Sequence, residues 1–127
     1  MSLFPPVFEI CAQSAEVGEL LGTAPLRLWP FGDAPQSNAT LPYAVWQTIT
    51  GSPENYITGL PDIDSWTLQV DVYAQTATSA RAVARALRDA IEPNAHIIAW
   101  RGESIEAETR NYRSSFDVDW FTQRSSA

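Results

Sequence analysis

The sequence predicts an α+β fold, in which a mainly antiparallel β-sheet carries two α-helices packed on one face. Two patterns predict it: alternating apolar and polar residues at 66–75 and 112–121, and an amphipathic helix at 76–92. A sheet with one apolar face needs cover on that face, and helices with a single apolar stripe supply it. With 127 residues, 45% of them apolar, the chain is expected to form one domain over residues 1–127.

The chain opens with a segment that predicts a helix from Pro5 to Leu21. Proline is tolerated at a helix start, and Gly22 supplies a C-terminal stop. The apolar residues recur at spacings of three and four, as one face of a helix requires. They are Val7, Ile10, Cys11, Val17, Leu20 and Leu21.

Two long connections follow in the first half of the chain. A short extended piece at 26–29 precedes a proline-containing loop that ends near Pro42. A strand is expected over 43–50, with bulky side chains on both faces, and a second loop over 51–65. Loops of this length are uncommon in small domains and often carry contacts.

The second half of the chain carries the clearest elements. In the strand at 66–75, apolar and polar side chains alternate, which gives one apolar face and one polar face. The helix at 76–92 has Thr76 or Thr78 as its N-cap and one apolar stripe. After it the sequence predicts a buried strand at 96–100, a turn at 101–103, an alternating strand at 112–121 and a loose tail at 122–127.

The charge of the chain argues against tight binding to nucleic acid. The formal net charge is −7, and all eight basic residues are arginine. Binding to phosphate backbones needs clustered positive charge, so DNA is not expected to be held tightly. Arginine suits protein interfaces better than lysine does, although a compositional bias explains its exclusive use equally well. No segment is long and apolar enough to cross a membrane, and the first residues show no secretion signal.

Few residues offer reaction chemistry, and we predict no catalytic, cofactor or metal site. The chain has one histidine, His96, and one cysteine, Cys11, which lies on the apolar stripe of the first helix. A metal site or a nucleophile–base pair needs several such groups together. The six glycines are scattered singly, unlike those of a phosphate-binding loop. Asp117 and Asp119 share a strand face, and a solvated polar face explains them better than an ion site does.

Aromatic residues in and beside the two loops are the remaining signal. Trp29, Phe31 and Tyr56 accompany proline there, and Asp62 and Asp64 follow in the second loop. Aromatic side chains are common anchors of protein interfaces. They serve equally well to fix loops onto the domain, and both interpretations stay open.

Several motifs, in their order along the chain, resemble the tail completion (tail terminator) proteins of long-tailed bacteriophages. The resemblance covers nearly the whole chain, and it rests on the spacing of the motifs more than on any one of them. The motifs are WPFGDAPQ at 29–36, PYAVWQ at 42–47, GSPENY at 51–56, PDID at 61–64, DVYA at 71–74, the helix at 80–91, EPNAH at 92–96 and SFDVDW at 115–120.

The resemblance implies a structural virion protein without catalytic residues or cofactors. Proteins of that family are small α+β domains that form a homo-hexameric ring on the head-proximal end of the tail tube. The ring stops tube polymerisation and offers a surface to the head connector. The implied partners are further copies of the chain, the tail tube protein and the connector. The implied location is the virion tail, assembled in the cytoplasm of the bacterial host.

The residues themselves suggest where such a ring would make its contacts. Ring closure needs two different complementary patches on each subunit. We expect Arg81, Arg85 and Arg88, which lie beside the apolar stripe of the helix, to face an acidic surface on a neighbour or on the tube.

The acidic residues suggest a second surface of the ring. Asp71, Asp117 and Asp119 on the polar sheet face are expected to meet water, a partner or the lumen, where an acidic lining would let DNA slide past.

Three other functions remain open from the sequence. The first is another role in the same particle, as a head–tail connector or minor tail protein. The second is a small hydrolase or nucleotide-binding domain, against which the single histidine and the missing glycine-rich loop argue. The third is a peptide-binding module that uses the aromatic loops.

Overall fold

The computed structural model describes residues 5–23, 25–33, 40–53 and 63–123. The α+β class is confirmed, with three helices and five strands in this part of the chain. In chain order they are α1 (Val7–Ala12), α2 (Ala15–Leu21), β1 (Leu28–Pro30), β2 (Tyr43–Pro53), β3 (Ile63–Ala74), α3 (Ala77–Ile91), β4 (His96–Ile105) and β5 (Tyr112–Gln123).

The strands form one mixed sheet in the order β1-β2-β3-β5-β4. Only β1 pairs in parallel, with β2; the other pairs are antiparallel. The two central strands, β3 and β5, pair without interruption from Ile63 opposite Gln123 to Ala74 opposite Tyr112. Because β3 and β5 are the longest uninterrupted pair, they form the rigid centre on which the other elements are placed.

The core lies between one face of the sheet and the three helices. Alternate residues of β3 and β5 point into it, including Leu68, Val70 and Phe116, which are almost fully buried. Val83 and Leu87 of α3 meet them from the helical side. The predicted period-two and helical patterns therefore identified the two layers of the core. In the described part of the chain, no helix has the length and apolar character needed to span a membrane.

The first predicted helix is divided in two, which is why the structure has three helices rather than two. Ser14 has an extended backbone (φ −87°, ψ 120°), and its hydroxyl oxygen accepts a hydrogen bond from the Val17 N–H at 3.3 Å. A serine that caps a new helix in this way competes with continuation of the old one. The resulting α1–α2 hairpin packs beside α3.

The end of this hairpin is joined tightly to the start of the sheet. Gly22, after α2, has φ 87° and ψ 168°, a conformation essentially confined to glycine. Close to it, the Arg27 side chain donates to the Pro42 carbonyl (Nε to O, 2.9 Å) and the Leu20 carbonyl (Nη2 to O, 3.4 Å). Arg27 thereby links α2 to the segment that enters β2.

The prediction for the last strand but one was wrong in length and in burial. A short buried strand at 96–100 and a turn at 101–103 were expected, whereas β4 continues for ten residues at the sheet edge, and nine of them are exposed. Its pairing with β5 is irregular at two places, which leave Ile98 and Arg101 as extra residues. Gly102, with φ 93°, lets the strand continue where a turn was predicted.

The remaining elements follow the predicted pattern, and several extend beyond it. The helix predicted at 76–92 is α3, capped by Thr76, whose side-chain oxygen accepts from the Ser79 N–H at 3.0 Å. β2 and β3 lengthen at the expense of the predicted second loop, and residues 54–62 lie outside the described residues. β5 includes residues 122 and 123 of the predicted loose tail, and the rest of that tail is also outside them.

Candidate interaction surfaces

Two surfaces of the sheet are exposed in the described part of the chain. One is a groove between α3 and the edge strand β4, lined by Arg81, Arg85, Arg88, Trp100 and Glu103, which we call the α3–β4 groove. The other is the sheet face opposite the helices, which we call the open face. The sequence placed candidate residues on both surfaces.

The α3–β4 groove has a basic wall and an aromatic floor. Its volume is about 320 Å³, and it is partly open to solvent. Trp100 is 54% exposed, although its ring leans against the buried Phe116 with centroids 5.2 Å apart. An exposed tryptophan beside several arginines has the composition of a protein contact site.

The three predicted arginines differ in their partners. Arg81 makes two hydrogen bonds to Glu103 (Nε to Oε2, 2.8 Å; Nη2 to Oε1, 3.0 Å), which join helix to strand across the groove. This bonding raises the pKa of Arg81 and lowers the pKa of Glu103. Arg88 pairs with Asp89 at 2.9 Å and with Glu92 at 3.3 Å. Arg85 is exposed and has no hydrogen-bond or ion-pair partner among the described residues.

The open face carries an aromatic row at one end. The ring of Trp29, from β1, lies 5.8 Å from that of Tyr43, and Tyr43 stacks on Tyr73 at 5.0 Å. Burial is the main cause that raises the pKa of both tyrosines. Trp29 therefore packs on the sheet rather than in a loop, and its role at an interface stays a prediction.

Paired charges occupy the centre of the open face. Asp71, only 6% exposed, accepts hydrogen bonds from Arg113 (3.1 Å), Gln69 (2.9 Å) and the Ser115 hydroxyl. Asp117, 4% exposed, accepts from Arg101 Nε at 2.7 Å. Two carboxylates on this face are thus neutralised by arginine rather than free to repel an anion.

The third predicted aspartate is held differently. Asp119 is half-buried and accepts a hydrogen bond from the Thr67 hydroxyl at 2.8 Å. The register places Asp71, Asp117 and Asp119 on one face, as the alternation predicted, but the expectation of a solvated face does not hold for Asp71 and Asp117. Their position at a lumen stays a prediction.

The other predicted interface residues do not gather into one site. Phe31 is 75% exposed beyond the end of β1, and Asp64 is buried near the start of β3. Tyr56 and Asp62 lie outside the described residues. A role of these residues at an interface stays a prediction.

Sequence reasoning missed three residues that shape these surfaces: Trp100, Arg101 and Glu103. Trp100 was assigned to a buried strand and the other two to a turn, because an apolar run followed by Arg-Gly is typical of both. No pattern within residues 96–105 signals their exposure, because it depends on the place of β4 at the sheet edge. The register that brings Arg113 beside Asp71 depends on tertiary pairing and had no local signal.

The reactive residue types are kept apart. Cys11 is fully buried, and burial raises its pKa to about 12. His96 is exposed at the start of β4, opposite Asp119 in the register, and is not the buried structural residue its apolar strand suggested. Among the residues of the four described segments, no three His, Cys, Asp or Glu side chains are grouped to hold a metal ion.

Comparison with known proteins agrees with the predicted resemblance. No curated protein matches the sequence significantly. The fold is similar to that of a chain in the solved structure "Virion of native gene transfer agent (GTA) particle", with a TM-score of 0.64 and 14% identity over 92% of this chain and 91% of that one. Residues 5–123 match the family described as Tail completion protein gp17. The match extends from the residues before α1 to the end of β5, and the chain belongs to this family of structural phage tail proteins.

Proposed function

We propose that the chain caps the head-proximal end of a tail tube as a ring of six copies, stops tube polymerisation and presents the surface to which the head joins. Family membership over residues 5–123 makes a tail role the starting point. The structural observation that carries the proposal is the open face, a broad sheet surface held in place by the Asp71–Arg113 and Asp117–Arg101 pairs.

The open face suits docking on another protein. A small-molecule site is usually a concave pocket, whereas this face offers an aromatic row, paired charges and the half-exposed Phe121 across a sheet. Each pair joins a buried aspartate to a partly exposed arginine, which orders both side chains before a partner arrives, so less conformational entropy is lost on binding. A rigid surface of this kind is what a cap needs to match the end of a repeating tube.

A cap must also bind its own copies by a different surface. Subunits in a ring meet through two unlike patches, and the open face is left for the tube or for the head. The net charge of −7 keeps unassembled copies soluble and disfavours their retention of DNA. This arrangement needs neither a cofactor nor a reactive centre.

The test is to add purified protein to tails made without it and to image them by negative-stain microscopy. We expect a ring on one end of each tube, and no elongation when tube protein is then supplied. Tails that already carry the protein are the control and should take up none. Protein along the sides or on both ends would contradict the proposal. Joining to heads without an arrest of elongation would instead identify a head–tail connector.

A further inference from the structure

The helical layer has two flanks of different chemistry. At about 100° per residue, Arg81, Arg85 and Arg88 occupy an arc of about 60° on α3, on the side that borders the groove. Ala86 is buried on the other side of α3, and the α1–α2 hairpin contacts this helix. The layer therefore runs from the hairpin, across α3, to the α3–β4 groove and the edge strand.

One arginine of the groove has no counter-charge among the described residues. Of the three arginines that line the groove, Arg81 is bonded to Glu103, and Arg88 pairs with two carboxylates at the C-terminal end of α3. Arg85 is exposed and pairs with no described residue. The parallel N–H donors of a guanidinium match the two oxygens of a carboxylate. The exposed Trp100 adds apolar contact area beside them.

The hairpin at the other flank carries the opposite charge. Glu9, Glu16 and Glu19 are exposed, and residues 7–21 contain no basic residue. Within the described part of the chain, no ion pair involves any of these three glutamates. Glu16 and Glu19 are spaced i,i+3, so they lie on neighbouring positions of α2.

We infer that the α1–α2 hairpin of a second copy docks along the α3–β4 groove, with Glu16 and Glu19 toward Arg85. The inference rests on the proposed ring and names its subunit contact. Because the acidic and basic surfaces lie on opposite flanks of α3, the contact is head-to-tail, and repetition of one such contact can close a ring. Charge complementarity selects the partner, and the Arg81–Glu103 pair fixes the groove before docking.

A charge exchange tests the inference. Arg85→Glu and Glu19→Arg are each expected to lower the yield of rings, in solution or on tube ends, by about tenfold, which is the effect of losing about 1.4 kcal/mol. The double variant restores the pair with its charges exchanged and should return the yield to within about threefold of wild type. Arg110→Glu and Glu108→Arg, exposed residues of the β4–β5 turn, make the same charge changes outside the groove and should leave the yield unchanged.

A second measurement separates the possible results. With cysteine at positions 85 and 19, mild oxidation of rings should give a ladder of covalent multimers, since buried Cys11 does not compete. Rings that form normally but give neither the ladder nor the rescue would overturn this contact and leave the proposed ring standing. Loss of tube binding by Arg85→Glu with rings intact would assign the groove to the tube and also overturn it. Wild-type protein that forms no ring even on tube ends would remove the proposed function together with this contact.

Discussion

The Arg101–Asp117 pair shows how the side chain of Asp117 becomes buried on a sheet face that no described helix covers. The irregularity in β4 makes Arg101 an extra residue, and the side chain reaches across to Asp117 on the neighbouring strand. A bulge commonly re-aims a side chain in this way. The carboxylate is thereby shielded by its own counter-ion, and one of its oxygens, Oδ1, has no hydrogen-bond partner. The open face is therefore ordered by charge pairing rather than by an apolar layer.

Cys11 gives the protein a pH-dependent contribution to its stability. Burial raises the thiol pKa from 9.0 to about 12, so above pH 9 the unfolded chain releases a proton that the folded chain retains. The contribution of Cys11 to the free energy of unfolding should therefore be constant below pH 9 and fall by up to about 1.4 kcal/mol per pH unit between pH 9 and 12.

Urea unfolding at pH 8, 9 and 10 measures this dependence. Cys11→Val removes the thiol and should show a shallower alkaline loss than wild type, although both share the contribution of Tyr43 and Tyr73, whose pKa values are also raised. Equal slopes for the two proteins would contradict the assignment to Cys11. The wild-type thiol should also stay unreactive to alkylating reagents until the chain unfolds.

At the scale of elements, local patterns predicted some parts well and others poorly. The α3 helix was predicted within a residue at each end because its stripe and N-cap are local features. The break at Ser14 was missed because one side-chain hydrogen bond outweighed a helical period that continues across it. The exposure of β4 was missed because it depends on which strand lies at the edge, and that is set by the whole fold.

The difference between features set by local patterns and features set by the whole fold also applies to the candidate surfaces. The basic flank of α3 could be predicted, since helical spacing places Arg81, Arg85 and Arg88 together. The floor of the groove comes from β4 and could not be predicted without the register. The aspartates were placed on the correct face, but their arginine partners come from elements far along the chain.

The connection after α2 depends on a glycine. A Cβ atom added at Gly22 would lie 2.8 Å from Arg27 Nη1. The new residue would also have to keep a backbone conformation that residues other than glycine avoid. Gly22→Ala should lower the free energy of unfolding by about 1–3 kcal/mol, measured by urea denaturation.

Gly32→Ala is the matched control for this substitution. Gly32 also has a positive φ, 92°, but no atom of the described residues lies within 4 Å of its added methyl group. Gly22→Ala should be the more damaging change, because it also displaces the Arg27 side chain from the Pro42 carbonyl. Equal losses for the two variants would show that the backbone alone is responsible.

At the scale of the whole molecule, rigidity is expected to decrease from the centre of the sheet to its margin. β3 and β5 are paired on both sides, whereas β4 has a partner on one side and is exposed. In hydrogen exchange of the monomer, amides of β3 and β5 should exchange slowest and the outward amides of β4 fastest.

Ring formation should change this pattern at two places. We expect slower exchange in α1–α2 and around the α3–β4 groove, since these are the proposed contact surfaces. Rings whose added protection falls elsewhere would contradict the proposed contact. The central strands serve as the internal control, because assembly should leave them unaffected.

The two irregularities in the pairing of β4 also reduce the tendency of the protein to form fibres through its sheet edge. A straight, exposed margin ten residues long would recruit strands from any passing copy and extend into fibres without limit. The extra residues at Ile98 and Arg101 and the positive φ of Gly102 bend this margin, so it makes a poor template for such growth. A protein whose proposed task is to end a polymer is thus built so that it does not start one of its own.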